Sequence, residues 1–405
     1  MSDQQNLERR KFLKTTAGGL LILSPRTAFG SQANSTIELG LVGSGGRGNW
    51  ITPLFAEYTG ARMVALADVL KSNLDATREK LRVEQSRAYW GPDAYQELAG
   101  SKVDAVVIET PPYFHPPHAA AAVNAGKPVF CAKPVAVDVP GCKEFLAAGE
   151  AARGKNLSFW VDFQSRARPV FQEVAARVQR GDLGEVALTQ MFYYAGRPWK
   201  DRSTPGMDPG EKRMRNWIGD RVLSGDIIVE QNIHVIDMAN WYLAGHPLKA
   251  NGTGGRADWS GTQQDTGDAY DHFTVNFWYP NDVLASFSSH QLNGGFSDLC
   301  VRCIGIHGCA DTHYGGAVRI VSEQHDKDWN GAEKDDTFKG GCVTNIVNFI
   351  DSVRNGKPVN NAPVAVESNL TGILGRMAAY QQRTVTWDEM MASTEKWEAS
   401  LKLKW

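Results

Sequence analysis

The sequence predicts an α/β protein in two parts. The first is an N-terminal doubly wound parallel sheet of the Rossmann type. The second is a C-terminal α+β region on an open, mainly antiparallel sheet. Three observations carry this. A strand-like run, Ile37–Val42, leads directly into Gly43-Ser44-Gly45-Gly46-Arg47-Gly48, a G-x-G-x-x-G turn. Short apolar, β-branched runs then alternate with helix-like segments to about residue 160, the pattern of βαβ units. Beyond that point strand-like runs follow one another, joined by glycines and alternating in polarity, as antiparallel strands do.

Residues 1–33 precede the fold and read as a signal peptide. Arg9-Arg10-Lys11-Phe12-Leu13-Lys14 is a twin-arginine core, followed by a mild apolar stretch from Ala17 to Leu23 and small residues at Ala28-Phe29-Gly30 and Ser31-Gln32-Ala33. The apolar stretch is far shorter than the ~20 residues that span a bilayer. Basic, apolar and small segments in that order form an export signal, and paired arginines select the route for folded proteins. The expected location is periplasmic or otherwise exported.

Residues 34–160 form the expected dinucleotide-binding domain. In the turn, the first glycine allows the tight bend, the second lets backbone approach a pyrophosphate, and the third lets helix pack on strand. The following helix offers free N–H groups and a positive dipole end to the phosphates. A second strand, Met63–Ala67, ends in Asp68, twenty residues past Gly48. An acid there accepts from ribose hydroxyls and repels a 2′-phosphate, which points to NAD. Gly43, Gly45, Gly46, Arg47, Gly48 and Asp68 are therefore the first cofactor-binding candidates. Asp104–Glu109 reads as a buried parallel strand, broken by Thr110-Pro111-Pro112. A helix over His118–Ala125, a strand at Val129–Cys131, a helix over Val139–Arg153 and a strand at Ser158–Asp162 complete the series.

Residues 161–405 form the expected substrate-binding region. It has a helix near Val170–Arg180 and strands at Glu185–Tyr194, Phe273–Tyr279, Val283–Ser289, Asp298–Ile306 and Val318–Val321. Helices return at Thr344–Arg354 and Pro363–Arg383. Arg197–Arg221 is polar, rich in Pro and Gly, and carries Trp199 and Trp217. Loops this long are usually functional.

The 405 residues carry a net charge of −2 and 42% apolar side chains, enough for two cores. With no basic block after the signal, nucleic acid is excluded as a partner, because its binding needs a basic face. No later segment is apolar for long enough to span a membrane once the signal is cleaved. Six cysteines are too sparse for a disulfide scaffold. Cys300-x-x-Cys303, with His307 and Cys309 nearby, lies on a strand-like run. Positions 300 and 303 then point to opposite faces, so no metal site is expected there.

The order of these pieces resembles the Gfo/Idh/MocA family, that is, glucose–fructose oxidoreductase, inositol 2-dehydrogenase and relatives. It is carried by Gly43–Gly48 with Asp68, by Thr110-Pro111-Pro112-Tyr113-Phe114-His115, by Ala125–Pro134, by Gly225–Asp237 and by Gly305-Ile306-His307-Gly308. The resemblance implies a Rossmann domain joined to an open-sheet domain with the site at the seam. It also implies an NAD cofactor, a carbohydrate or cyclitol substrate, and pairing of copies through the C-terminal sheet into a homo-oligomer. Two departures stand out. The family reads Glu-Lys-Pro where this chain has Ala132-Lys133-Pro134. It also reads Asp-x-x-x-His where this chain has Glu230 before His234.

Hydride transfer from a secondary alcohol needs a carbon facing the nicotinamide, an acceptor for the hydroxyl proton and a donor to the developing oxyanion. Lys133 follows a parallel strand, where such folds place ligands, and its ammonium can hold the hydroxyl and stabilise the oxyanion. Glu230, His234 and Asp237 fall at helical spacing on one face, where flanking carboxylates can orient His234 as general base. Lys133, His234 and Glu230 are the catalytic candidates. Arg166, Trp199, Trp217 and Asp237, with Gln164, are candidates for substrate contact. Thr110, Pro111, His115 and Lys133 are candidates for the cofactor's neighbourhood. The leading function is an exported NAD-dependent oxidoreductase acting on a sugar, sugar acid or cyclitol hydroxyl. A redox-neutral glycosidase or epimerase comes second, and a non-enzymatic NAD-containing sugar-binding protein third.

Overall fold

A computed structural model of the protein describes residues 36–198, 200–257, 267–331 and 337–403. The twin-arginine segment and Trp199 lie outside the described residues. Six parallel strands form the first sheet: β1 (Glu38–Val42), β2 (Arg62–Asp68), β3 (Ala88–Trp90), β4 (Ala105–Ile108), β5 (Val129–Cys131) and β6 (Phe159–Val161). Their order is β3-β2-β1-β4-β5-β6. The order reverses between β1 and β4, and ligands of such sheets bind outside the strand ends at that point. All four residues of β4 are buried, as a continuous apolar run in a sheet covered on both faces requires.

The two faces of this sheet carry separate cores. On one face Leu39, Leu41, Val107 and Phe130 meet Ile51 and Phe55 of the helix Gly46–Thr59. Cys342, Ile346, Phe349 and Ile350 share that core. They come from the helix Thr337–Arg354, far along the chain, so the last third of the sequence returns to complete the first sheet. Their helical spacing gives the helix one apolar stripe to bury. On the other face Val106 and Ile108 pack with Ala119, Ala122, Val139 and Phe145 of two further helices.

The second sheet has nine strands: β7 (Val186–Ala195), β8 (Lys249–Gly255), β9 (His272–Trp278), β10 (Leu284–Gln291), β11 (Asp298–Gly305), β12 (Gly308–His313), β13 (Val318–Ser322), β14 (Trp329–Gly331) and β15 (Val385–Thr386). Their order is β14-β13-β12-β11-β7-β10-β9-β8-β15. Only the β7–β10 pair is parallel among the described ladders. Met191, Phe277, Phe287 and Val301 point to one face, where they share a core with Ile236, Tyr242 and Leu374 of the covering helices. The other face carries the alternating half-buried residues of β7 and β10. Among the described residues no helix is long and apolar enough to cross a membrane.

Strand β8 was not expected, because Gly252, Gly254 and Gly255 weaken its strand signal. The glycines are needed there: a Cβ on Gly252 would lie 2.5 Å from Thr274 O. The helix expected through Glu230 and His234 is broken. One short helix ends at Glu230 and another begins at Ile233. The amides of Gln231 and Asn232 both return to Ile227 O, which closes the first turn and starts a new axis.

Candidate active site at the seam of the two sheets

The glycine turn has the shape a dinucleotide needs. Gly43 has φ +97°, and a Cβ there would lie 2.7 Å from the Glu109 carbonyl carbon. A Cβ on Gly48 would come 2.1 Å from Gly43 O, whereas Gly46 faces open space and Gly45 meets only Asn73 Nδ2 at 3.9 Å. The first and third glycines thus close the turn, while the middle pair leaves its backbone approachable. Gly45 caps the helix with no side-chain hydrogen bond, so its first N–H groups have no side-chain acceptor. The Ser44 hydroxyl is buried without a partner among the described residues. These features fit NAD phosphates at the helix start.

Asp68 stands at the end of β2 beside this turn. Its carboxylate accepts from Ser44 N and Leu70 N, each at 2.7 Å. Burial pushes its pKa up to about 6, opposed by these two amides. Asp68 therefore also braces the glycine turn from the sheet side, in addition to the ribose role expected of it.

Arg47 was expected near phosphate. In this structure its guanidinium is held by acids at the strand ends: Nη2 lies 2.5 Å from Asp162 Oδ2, and Nε lies 3.4 Å from Glu109 Oε2. It also lies over the Trp50 ring, 4.7 Å from the centroid. Burial works against its charge, but Glu109 and Asp162 more than offset that and hold it above the usual arginine range. Asp162 also accepts from Gln164 Nε2 at 2.9 Å and Asn345 Nδ2 at 2.8 Å. Gln164 thus supports Asp162, while its own Oε1 is buried without a partner among the described residues.

Lys133 and Glu230 meet across the seam. The Lys133 ammonium donates to Glu230 O at 2.6 Å and lies 3.2 Å from Glu230 Oε1. The other carboxylate oxygen of Glu230 receives Gln231 Nε2. Gln231 Oε1 in turn accepts from the Tyr193 hydroxyl on β7 at 3.0 Å. A chain of contacts therefore runs from the antiparallel sheet to Lys133 and holds its ammonium by two of three donors. No bond of the third donor is seen among the described residues.

His234 is buried, and its Nδ1 has no partner among the described residues. Burial, and then the charges of Lys133 and Arg47, push its pKa well below the usual histidine value. The ring is therefore neutral near pH 7. The expected orienting role of Asp237 fails. Asp237 accepts from Arg166 Nε at 2.9 and 2.8 Å and from the Ser368 hydroxyl at 2.7 Å, and it is fully buried. Arg166 and Asp237, both expected at substrate, are tied to each other in an internal ion pair. Asp237 shares the helix Ile233–Tyr242 with His234, but its carboxylate is taken up by Arg166 and Ser368.

His115 also differs from expectation. It is buried, with Nδ1 2.7 Å from Pro134 O and Nε2 2.6 Å from Thr110 O. Burial pushes its pKa down to about 4. The neutral ring carries one N–H, which donates to one of these carbonyls, and the ring sits between the Thr110-Pro111 turn and the Lys133-Pro134 segment. The Thr110 hydroxyl meets His118 Nδ1 at 3.1 Å. Trp217 packs against a separate apolar cluster with Leu70, Met214 and Leu223. The covering loop thus reaches back to the strand end that bears Asp68, and Arg215 Nη2 bonds Ser72 Oγ at 2.7 Å.

Cys300 and Cys303 lie on opposite faces of β11, and Cys303 is in the core. Cys300 instead meets Asp298 and His313 in a group with metal-ligand chemistry. Asp311 beside them is already paired with Arg302 at 2.9 Å and Arg319 at 3.2 Å.

Several residues of the site were not singled out from sequence. Asp162 and Glu109 end apolar strands, a signal that was present. Gln231 and Tyr193 gave none. Asn232 is fully buried with both amide atoms unpartnered among the described residues. The departure at Ala132 also acquires a context. The register Ile108↔Cys131 continues to place Glu109 beside Ala132, so a carboxylate stands one strand over from the position where the family carries one.

A dinucleotide cradle at the strand-order reversal of a parallel sheet defines a protein of the Rossmann dinucleotide-binding class. Residues 37–163 match the Gfo/Idh/MocA oxidoreductase family, NAD-binding Rossmann fold, and residues 171–311 match that family's C-terminal domain. The chain belongs to the Gfo/Idh/MocA family, and residues 37–163 are its NAD-binding domain. The scyllo-inositol 2-dehydrogenase (NAD(+)) of Bacillus subtilis (strain 168) is 27% identical over 201 residues, 50% of this chain and 52% of that protein. The chain spans about half the length of the curated relatives it matches. Two solved structures share the fold. The aldose-aldose oxidoreductase from Caulobacter crescentus has TM-score 0.68 at 19% identity, covering 87% of this chain and 100% of that one. A levoglucosan dehydrogenase in complex with NADH and levoglucosan has TM-score 0.68 at 17% identity, covering 87% and 99%.

Proposed function

We propose that the protein is an NAD-dependent oxidoreductase that moves a hydride between bound nicotinamide and a ring hydroxyl of a sugar, sugar acid or cyclitol. The observation that carries this is the Lys133 ammonium, held by Glu230 beside buried, neutral His234 at the strand ends of the NAD-binding sheet. NAD, when bound, supplies the hydride acceptor. Lys133 orients the substrate oxygen with its third N–H and stabilises negative charge there as the C–H bond breaks. His234 takes the hydroxyl proton, and its lowered pKa favours release of that proton to solvent once the hydride has left. The inositol dehydrogenases and the levoglucosan dehydrogenase among its relatives support the substrate class.

A second reading is favoured by Arg9-Arg10 and the segment after it. A folded protein exported with its cofactor meets little free nicotinamide, so a cofactor left reduced would stop the enzyme. Turnover then requires either a second substrate that reoxidises the cofactor, or return of the hydride to the same substrate, as in a redox-neutral glycosidase or epimerase. The test is incubation of the purified protein with a panel of sugars, cyclitols and aryl glycosides, without added NAD. Net bleaching or formation of reduced nicotinamide with one product supports the dehydrogenase. Steady aglycone release or epimer formation with no net change in the cofactor supports the closed cycle. No reaction across the panel would remove both.

A further inference from the structure

Glu109 is a buried acid whose two carboxyl oxygens lack any hydrogen-bond partner among the described residues. Its one close cation is Arg47, whose Nε makes a long contact of 3.4 Å while its Nη2 is anchored on Asp162 at 2.5 Å. Glu109 directly follows β4, and its amide donates to Val42 O at 2.8 Å. The Gly43 turn packs on its peptide. It therefore stands where the strand order reverses, beneath the ligand crevice: its side chain is 0% exposed, and the partly exposed Arg47 lies beside it. Asp68, at the end of β2, marks the adenosine side of that crevice, and the helix start at Gly46 marks the pyrophosphate. The remaining half of the dinucleotide lies toward β4 and β5, the side that bears Glu109 and Lys133.

We propose that Glu109 lies beneath the nicotinamide half of the bound dinucleotide and that its charge holds the oxidised, cationic form more tightly than the reduced, neutral one. This assignment rests on the reading above, with NAD in the crevice at the glycine turn. The charged and titratable groups that face Glu109 are Arg47 from the helix Gly46–Thr59, Asp162 from the end of β6, Lys133 from after β5, and the thiols Cys131 and Cys342. Two cations there are matched by Asp162 and by the Glu230 bonded to Lys133. A cationic ring adds one positive charge, and an ionised Glu109 cancels it. A neutral ring needs no such partner.

Burial pushes Glu109 up to about 8; Arg47 pulls it down, Asp162 pushes it up, and Lys133 pulls it down. Near neutrality the free protein therefore keeps this proton, and a cation beside the carboxyl favours losing it. Binding of NAD⁺ should release a proton and tighten as pH rises from about 7, where Asp68 is already ionised, to about 9, by the linkage of protons to binding. Binding of NADH should do neither. Preference for NAD⁺ makes the bound reduced cofactor a stronger hydride donor, which suits an enzyme that must hand its hydride back.

The test is calorimetric titration of the whole protein, stripped of dinucleotide, with NAD⁺ and with NADH in two buffers of different ionisation heat. In the unaltered protein NAD⁺ should bind roughly tenfold tighter at about pH 9 than at about pH 7, with proton release, while NADH stays level. In Glu109→Gln, NAD⁺ should weaken roughly tenfold at the higher pH and NADH by no more than about twofold. That tenfold change in ratio raises the bound couple by about 30 mV. Equal weakening of both forms, or an unchanged ratio, would overturn the assignment while leaving the cofactor in place. So would absence of proton release in the unaltered protein, a measurement that does not depend on the variant folding. Binding of neither form would overturn the cofactor reading itself.

Discussion

Replacing Lys133 by alanine tests the site most directly, but it does two things at once. The ammonium lies 3.2 Å from Glu230 Oε1, with side-chain exposures of 12% and 8%. At an effective dielectric of about 20 the gross attraction is ~5 kcal/mol, most of which offsets desolvation. Removing one partner is costlier than the pair is worth, because Glu230 is left buried and charged. The expected destabilisation is about 3 kcal/mol. The expected loss of turnover is roughly 10²–10⁴-fold, or ~3–5 kcal/mol in the barrier. The two effects are of similar size, so loss of activity alone decides nothing. The double variant Lys133→Ala/Glu230→Gln separates them. It removes the stranded charge and should recover stability to within about 1 kcal/mol of the unaltered protein. Its turnover should stay at least roughly a hundredfold down, since no donor faces the substrate oxygen. The assays are denaturant unfolding, NAD binding, and turnover of whichever substrate the panel identifies. If the double variant turns over within about threefold of the unaltered protein, about 0.7 kcal/mol on this scale, Lys133 is structural and the proposed chemistry is wrong.

Three further outcomes are expected. NAD should bind at least roughly tenfold tighter than NADP above pH 7, because Asp68, raised to about 6, is ionised there and repels a 2′-phosphate; equal dissociation constants would remove Asp68 from the ribose. Asp237→Asn should cost about 3 kcal/mol in unfolding free energy by stranding Arg166, with KM for the substrate nearly unchanged; a large rise in KM would restore Asp237 to the substrate site. The lowered pKa of His234 means its neutral, proton-accepting form persists as pH falls, so the acid limb of kcat/KM should lie below the ordinary histidine range, and a limb at or above about 6.5 would point to another base.

Much of the fold was legible because its signals are local. The run Ala105–Ile108 is apolar at every position, and the G-x-G-x-x-G turn carries its stereochemistry in its glycines. Strand β8 was missed for the converse reason, since its glycines serve close backbone contact with β9 and erase the alternation. The return of Thr337–Arg354 to the first sheet was also invisible. Its stripe of Cys342, Ile346, Phe349 and Ile350 shows that a face is buried, but nothing local names the partner.

Within the site, residues were readable as chemistry but not as geometry. Lys133, Glu230 and His234 are brought to one seam, yet the reason offered for grouping Glu230 and His234, one helical face, does not hold. The chain breaks at Gln231-Asn232, which leaves the Glu230 carbonyl to accept from Lys133, while Asp237, on the same helix as His234, is paired with Arg166. Substituting Ala132 for the family's glutamate looked like the loss of a charge beside the lysine. In the sheet it is a shift of one strand, because the register sets Glu109 at its side. A carboxylate at 132 would share Lys133's own segment, whereas at 109 it abuts the glycine turn and Arg47. The acid is thereby moved from the lysine's side of the crevice toward the cofactor's, where its charge acts on the dinucleotide's oxidation state more than on the proton held by Lys133.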